Sequence, residues 1–376
     1  MRIAAIVPNF YPYFGGGVEK VAHRIYRILT DMGIFVEVYS CNSALKRRSE
    51  VWLKDNFKVI TYPCGFMHFP SKKLLKDLNG SMKFYDILHV FNIHNPLSVS
   101  SIFLGSLPMV ISPYYHGRGH TMFAQLAWKT FYKKIAKKLL ERQKGIIVNS
   151  LYQKRILIRD FALENAKFYL VYDGLDLSSI ENANSYPRSK LGFDEADKIL
   201  LCVSRLEKYK NIHLAIMVLK YLPPEFKLVV VGSGSKKYEN QLKKLISELS
   251  LQKRVRMLGF QPDEVVWSLY KTADLFLQLS EIESFGMTCI EALAAGTPVI
   301  VNDDKGGLAE TAEIFGDYIR VCNAKNLQDL ANLILELSEL KPVKVDEVLL
   351  AQFNWEEIAR RILEVYREIA YGSGGI

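Results

Sequence analysis

Two glutamates eight positions apart, Glu283 and Glu291, bracket a Ser284-Phe285-Gly286-Met287 turn in the stretch EIESFGMTCIEALAAGTPVIV. The apolar residues before the turn read as a strand over 275–279, and those after it as a helix to about 295. The first turn of such a helix offers unpaired N–H groups and a positive dipole end, which suit a phosphate or a sugar hydroxyl. Glu291, one to two turns inside, is placed to accept two hydrogen bonds from a vicinal diol, as carboxylates do for ribose. Glu283 precedes the turn and reaches what lies beyond the phosphates. A plainer role, favouring the helix dipole, accounts for Glu283 better than for Glu291. Arg205 and Lys210 follow a strand expected over 198–204, at the carboxyl end where α/β sheets bind ligands. A guanidinium fork and a point charge suit a diphosphate; an exposed basic loop paired with Glu207 is the alternative. A third candidate, Gly15-Gly16-Gly17, joins the first strand to a helix and lets backbone approach a ligand. Its spacing is not the dinucleotide fingerprint GxGxxG.

These residues need a scaffold, and the chain supplies one. Short apolar strands alternate with amphipathic helices, the pattern of parallel sheets covered on both faces. Strands are expected over 2–7, 34–40, 59–62, 87–91, 109–112, 146–150 and 168–172, then over 198–204, 226–232, 255–258, 275–279 and 298–302. The polar, proline-containing stretch 179–192 interrupts this rhythm and reads as a linker. The sequence therefore divides into an N-terminal domain (1–178), a C-terminal domain (193–352), a last helix (353–371) and a tail (372–376) expected to be disordered. At 376 residues, two domains are the natural size. Two facing α/β halves imply a cleft between them.

Composition narrows the options. No apolar run approaches the roughly 18 residues of a membrane helix, the chain opens directly on a strand, and five scattered cysteines show no metal-ligand spacing. These features fit a cytoplasmic protein. The net charge of +9 is uneven: residues 1–182 hold 25 Lys and Arg against 13 Asp and Glu, and the remainder 24 against 27. The N-terminal half therefore faces something anionic or simply carries a solvated basic surface. The stretch 129–144, with 45–54 and 71–76, has the basic amphipathic pattern of a surface that lies against anionic lipid; a core-packed helix with a wet basic face is the rival reading.

Taken together, the motifs resemble those of the retaining glycosyltransferases of family 4, the group 1 glycosyl transferases of GT-B fold. Glu283 to Glu291 matches E-x7-E, Gly16-Gly17-Val18-Glu19 matches GG-x-E, and Arg205 to Lys210 matches R-x4-K. Val231-Gly232-Ser233-Gly234, Asp173-Gly174-Leu175-Asp176 and Gly306-Gly307 with Glu310 follow the family's other signatures in the same order. Ser204 and Asp173 replace a usual glycine and asparagine, and Gln278 stands where a proline is frequent before Ser280.

The resemblance implies two Rossmann-like doubly wound domains across a cleft and an enzyme that moves a hexosyl group from a nucleoside diphosphate to an acceptor hydroxyl with retention. Arg205 and Lys210 would hold the diphosphate and Glu291 the ribose. Glu283 with Ser284, Phe285, Gly286 and Met287 would hold the donor sugar, and Gly16 and Gly17 would lie near the diphosphate and the acceptor. His116 matches the family's acceptor-side histidine and would touch the transferred sugar, with Arg118 and His120 as neighbours. The expected donor is of UDP or GDP type, with no metal or other cofactor and no nucleic acid. The expected acceptor is a glycan or lipid-linked hydroxyl, met at the cytoplasmic face of a membrane. A catalytically silent GT-B partner subunit and an unrelated α/β nucleotide-dependent enzyme are the alternatives. Intact Glu283, Glu291, Arg205 and Lys210 speak against the first, and the missing dinucleotide fingerprint against the second.

Overall fold

The computed structural model describes residues 1–12, 16–65, 69–105, 107–115, 117 and 133–372. The chain forms two compact units, one from Met1–Gly174 with Trp355–Ile376 and the other from Leu175–Asn354.

The first unit is built on β1 (Arg2–Ile6), β2 (Phe35–Asn42), β3 (Ser49–Lys54), β4 (Phe57–Pro63), β5 (Ile87–Phe91), β6 (Met109–Ser112), β7 (Gly145–Val148) and β8 (Phe168–Leu170). They lie in the order β3-β4-β2-β1-β5-β6-β7-β8, all parallel except the β3 edge strand. Runs such as GIIV are apolar throughout because both faces of such a sheet are covered. Alternation along β1 shows this: Ile3 and Ala5 pack with the helices Gly17–Asp31 and Trp355–Tyr371, whereas Ala4 and Ile6 pack with Lys72–Ser81, Lys133–Arg142 and Leu151–Phe161.

The helix Trp355–Tyr371 belongs to this unit although it follows the second one in sequence. Ile358, Ala359, Ile362, Leu363 and Val365 pack it into the core, and a polar cluster adds to their hold. Tyr366 Oη lies 2.5 Å from Nδ1 of His89 on β5, Tyr26 Oη lies 3.2 Å from the same nitrogen, and Ser112 Oγ lies 2.8 Å from Nε2. All four side chains are buried, so each polar atom that left water needs such a partner. Burial in this apolar shell pulls the His89 imidazole down to a pKa of about 3 and keeps it neutral.

The second unit contains β9 (Lys198–Val203), β10 (Phe226–Val231), β11 (Val255–Gly259), β12 (Leu275–Gln278), β13 (Val299–Asn302) and β14 (Ile319–Cys322), all parallel, in the order β11-β10-β9-β12-β13-β14. The order reverses between β9 and β12.

Three expectations need correction. Strand β3 was absent from the pattern reading because its alternating sequence is half-exposed and charged, as edge strands are; Glu50 pairs there with Arg48 and Lys58. Strand β14 was absent too: its four residues IRVC include an exposed Val321 and give little signal. The stretch 179–192 is no free linker but carries the helices Leu177–Asn182 and Arg188–Leu191, and it lies in the second unit. Ile180 and Leu191 are buried, Thr272 Oγ1 donates to the Tyr186 carbonyl at 2.9 Å, and Arg188 pairs with Asp274 at 3.1 Å.

Candidate functional site

In an open α/β sheet, ligands sit beyond the carboxyl ends of the strands, where the strand order reverses. In the second unit that point lies between β9 and β12. The loop after β9 carries Arg205 and Lys210, and the turn after β12 carries Glu283.

Close backbone packing fixes the first loop. Leu206 N–H donates to the Ser233 carbonyl at 3.0 Å, and Ser235 N–H donates to the Leu206 carbonyl at 3.0 Å. A β-carbon on Gly232, where φ is +129°, would stand 1.9 Å from the Ser204 carbonyl oxygen. Glycine is therefore required at this second Gly-rich turn. Asn211, left-handed at φ 56°, donates through Nδ2 to the Leu279 carbonyl at 3.0 Å, and Glu281 N–H donates to the Tyr209 carbonyl at 2.8 Å. These two bonds join the β9 loop to the end of β12.

Lys210 and Glu283, chosen from sequence for separate tasks, form an ion pair in which the side chains are 10% and 17% exposed. The same Glu283 oxygen, Oε1, accepts from Gln278 Nε2 at 2.6 Å and from Ser280 Oγ at 2.8 Å. Arg205 is exposed and donates to Tyr209 Oη at 2.8 Å, while the Lys210 ammonium lies 5.2 Å from the centre of the Tyr209 ring. One tyrosine thus serves both cations.

Asp304 holds the Glu283 turn from the other side. Its carboxylate accepts from the backbone N–H groups of Gly306 at 2.8 Å and of Glu283, Leu308 and Ala309 at 3.3 Å each. Burial raises its pKa, and the four amides oppose that rise. Gly307 packs directly on the turn: a β-carbon there would lie 2.4 Å from the Ser284 carbonyl carbon and 2.5 Å from the Glu283 and Ser284 carbonyl oxygens. The GG-x-x-E signature is therefore a packing surface for the glutamate turn.

The helix Met287–Ala294 opens from Gly286 at φ 107° with no side chain capping its N-terminus. The Phe285 ring is buried, 5.9 Å from that of Phe353, and its carbonyl accepts from the buried Thr311 hydroxyl. Glu291 accepts from Tyr270 Oη at 2.9 Å through Oε2. Burial, then the Glu283 and Asp304 carboxylates, push the neighbouring Cys289 thiol far up; Lys210 opposes them and Glu291 adds to them.

In the first unit, Gly16 precedes the helix Gly17–Asp31, whose third residue, Glu19, is buried and accepts from the Gly16 and Glu19 amides. This is half of a capping box, so part of the anion-binding potential of Gly16-Gly17 is met by the chain's own carboxylate. His116, Arg118, His120 and Gly15 lie outside the described residues. Among the described residues, no group of three His, Cys, Asp or Glu side chains gathers as a metal site, and no helix is long and apolar enough to cross a membrane. The basic helix Lys133–Arg142 buries Ala136, Leu139 and Leu140 in the core, so its apolar stripe is not turned to lipid. In the 45–54 stretch, Arg48 pairs with Glu50 and Lys54 with Asp31.

Sequence reasoning missed Asp304, Tyr209 and Tyr270, and noted Gln278 only as a replaced proline. A polar residue closing an otherwise apolar strand was the available signal for Gln278. An aspartate ahead of Gly306-Gly307 was the signal for Asp304.

Two doubly wound parallel-sheet units, with the cationic loop and glutamate turn at the switch point of the second, define a GT-B glycosyltransferase architecture. The solved structure of sucrose-phosphate synthase from Thermosynechococcus elongatus matches with a TM-score of 0.80 at 21% identity, over 99% of this chain and 100% of that one. Anabaena HepE in complex with UDP-glucose matches at 0.73 and 22%, over 97% and 99%. The model of glycosyl transferases group 1 matches residues 187–349, and that of glycosyltransferase family 4 matches residues 15–179. The chain belongs to the family 4 glycosyltransferases. Mannosylfructose-phosphate synthase of Agrobacterium fabrum is 28% identical over 242 residues, which is 58% of this chain and 51% of that protein. The chain spans about half the length of the first curated relatives it matches.

Proposed function

We propose that this glycosyltransferase uses a nucleoside-diphosphate sugar and transfers the sugar with retention to a glycan or lipid-linked hydroxyl. The reading rests on one observation: Lys210 and Glu283 meet at the switch point of the second sheet, with Arg205 joined to Lys210 through Tyr209 and an uncapped helix start beside them. Structures of this fold include one bound to UDP-glucose, which supports a donor of this class.

In this reading Arg205 and Lys210 meet the charge that develops on the departing diphosphate, helped by the helix N-terminus. Fixed cations and dipoles there need no reorganisation as the bond breaks. Glu291, steadied by Tyr270, holds the ribose diol, and the amides of Ser284–Met287 with Glu283 hold the sugar. Gly16, Gly17 and His116 serve the acceptor side. In this reading no side chain forms a covalent bond to the sugar; the Cys289 thiol, for one, is buried with a strongly raised pKa. We therefore favour front-face attack, with the leaving phosphate oxygen taking the acceptor proton. The cations described perform the role a metal plays elsewhere, so activity is expected to survive EDTA. The lipid-linked acceptor at a cytoplasmic membrane face rests in this reading on the basic face of Lys133–Arg142 alone, since the apolar stripe of that helix lies in the core.

The test is product stereochemistry. The enzyme is incubated with UDP- and GDP-sugars, an acceptor panel and EDTA, and the anomeric proton of the product is read by NMR. Retention of the donor's configuration is expected; inversion overturns the mechanism, and loss of all transfer in EDTA overturns metal independence.

A further inference from the structure

We infer that Gln278 is a positioning residue for Glu283, fixing which carboxylate oxygen is presented to the transferred sugar. The inference rests on the nucleotide-sugar reading above. Gln278 ends β12 after Leu275, Phe276 and Leu277, all buried and apolar, and is itself only 4% exposed. Packing alone calls for another apolar residue there, because a buried amide is costly unless it is bonded. Its Nε2 is bonded twice, to Glu283 Oε1 at 2.6 Å and to Ser280 Oγ at 3.3 Å. Ser280, 1% exposed, turns its hydroxyl to the same Oε1 at 2.8 Å, and the Lys210 ammonium is the third donor to that atom.

Three donors on one oxygen exceed its two lone pairs, so Oε1 has no capacity left. Among the described residues nothing donates to Oε2. A ligand hydroxyl is therefore directed to Oε2, in an orientation set by the Gln278–Ser280–Lys210 trio. Lys210 is wanted by the diphosphate as well, whereas Gln278 closes a core strand and Ser280 follows it two residues on, both of them buried. Gln278 is the donor that keeps the carboxylate aimed when the lysine turns to phosphate. The residue that grips the sugar is Glu283; Gln278 acts through it.

The test uses Gln278→Met, close in shape without donors, and Gln278→Asn, whose shorter amide falls short of Oε1. Calorimetric titration covers UDP, GDP and ADP and the glucose and mannose conjugates of each, on native chain, variants and the Gln278→Met/Glu283→Gln double variant. Binding of one diphosphate and its sugar conjugate by the native chain is expected. Gln278→Met should leave the diphosphate Kd within about twofold and weaken the conjugate about tenfold, the size of one hydrogen bond to a charged group. On top of Glu283→Gln it should add nothing. Equal weakening of both ligands, no weakening, or additive losses in the double variant overturns the role of Gln278 while the donor reading stands. If the native chain binds none of the diphosphates, the donor reading itself fails. Should Gln278→Met not fold, Gln278→Asn carries the same comparison.

Discussion

Replacing Lys210 with methionine removes the cation and keeps most of the stem's packing. Glu283 is then left 17% exposed with two neutral donors, Gln278 at 2.6 Å and Ser280 at 2.8 Å. Removing one partner of a fully buried pair costs roughly 3–5 kcal/mol. The two remaining donors and the residual exposure reduce this to about 2–3 kcal/mol. Glu283→Gln, which strands the ammonium, should cost a similar amount. The double variant leaves two neutral groups and should cost less than the sum of the singles, a coupling of about 2 kcal/mol. Scanning calorimetry with separate fits for the two units is the assay, since one transition need not describe both. For a unit of this size the single variants should lower its Tm by about 5–10 °C. Single losses below about 0.5 kcal/mol, or losses that add in the double variant, would refute a tight buried pair.

Gly307→Ala drives a β-carbon into the Glu283–Ser284 backbone at 2.4–2.5 Å; a stability loss of about 1–3 kcal/mol is expected, with transfer activity falling about a hundredfold, checked by calorimetry and turnover. Arg205 is exposed and its guanidinium donates to Tyr209 Oη, so Arg205→Ala should leave Tm within about 1 °C yet lower kcat roughly 10²–10³-fold. His89 carries a pH signature. Its folded pKa of about 3 lies below the unfolded value, so the unfolded chain binds the extra proton between about pH 6.5 and 3. Its contribution is therefore complete above pH 6.5 and lost on acidification, about 3 kcal/mol by pH 4.5. Buried Glu19 and Asp173, whose pKa values are raised by burial, act in the opposite sense, so the comparison is against His89→Asn, which should flatten the slope by close to one proton in urea titrations.

Much of this arrangement was legible in the sequence, and the gaps have physical causes. Parallel core strands such as GIIV and FKLVVV announce themselves because both faces are buried. Edge strands β3 and β14 do not, since half of each faces solvent. The stretch 179–192 looked like a linker because it holds little apolar surface; buried Ile180 and Leu191 and polar bonds through Thr272 and Asp274 anchor it. At the site, Arg205, Lys210, Glu283 and Glu291 could be picked out because their residue types name the chemistry. Their partners could not: Gln278, Asp304, Tyr209 and Tyr270 matter through position, and position is set by strand register and turn packing. The ion pair between Lys210 and Glu283 is the clearest case, for nothing in a separation of 73 residues foretells it.

The central claim is that the second unit grips a nucleoside diphosphate with Arg205, Lys210 and Glu291. Titration of the protein with UDP, GDP and ADP in EDTA, followed by thermal unfolding and repeated on Glu291→Ala, tests it most directly. One diphosphate should stabilise the native chain, by about 2.7 kcal/mol at a hundredfold excess over Kd, and the variant should lose most of that gain. Absence of stabilisation by every diphosphate, or an undiminished gain in Glu291→Ala, would contradict the claim.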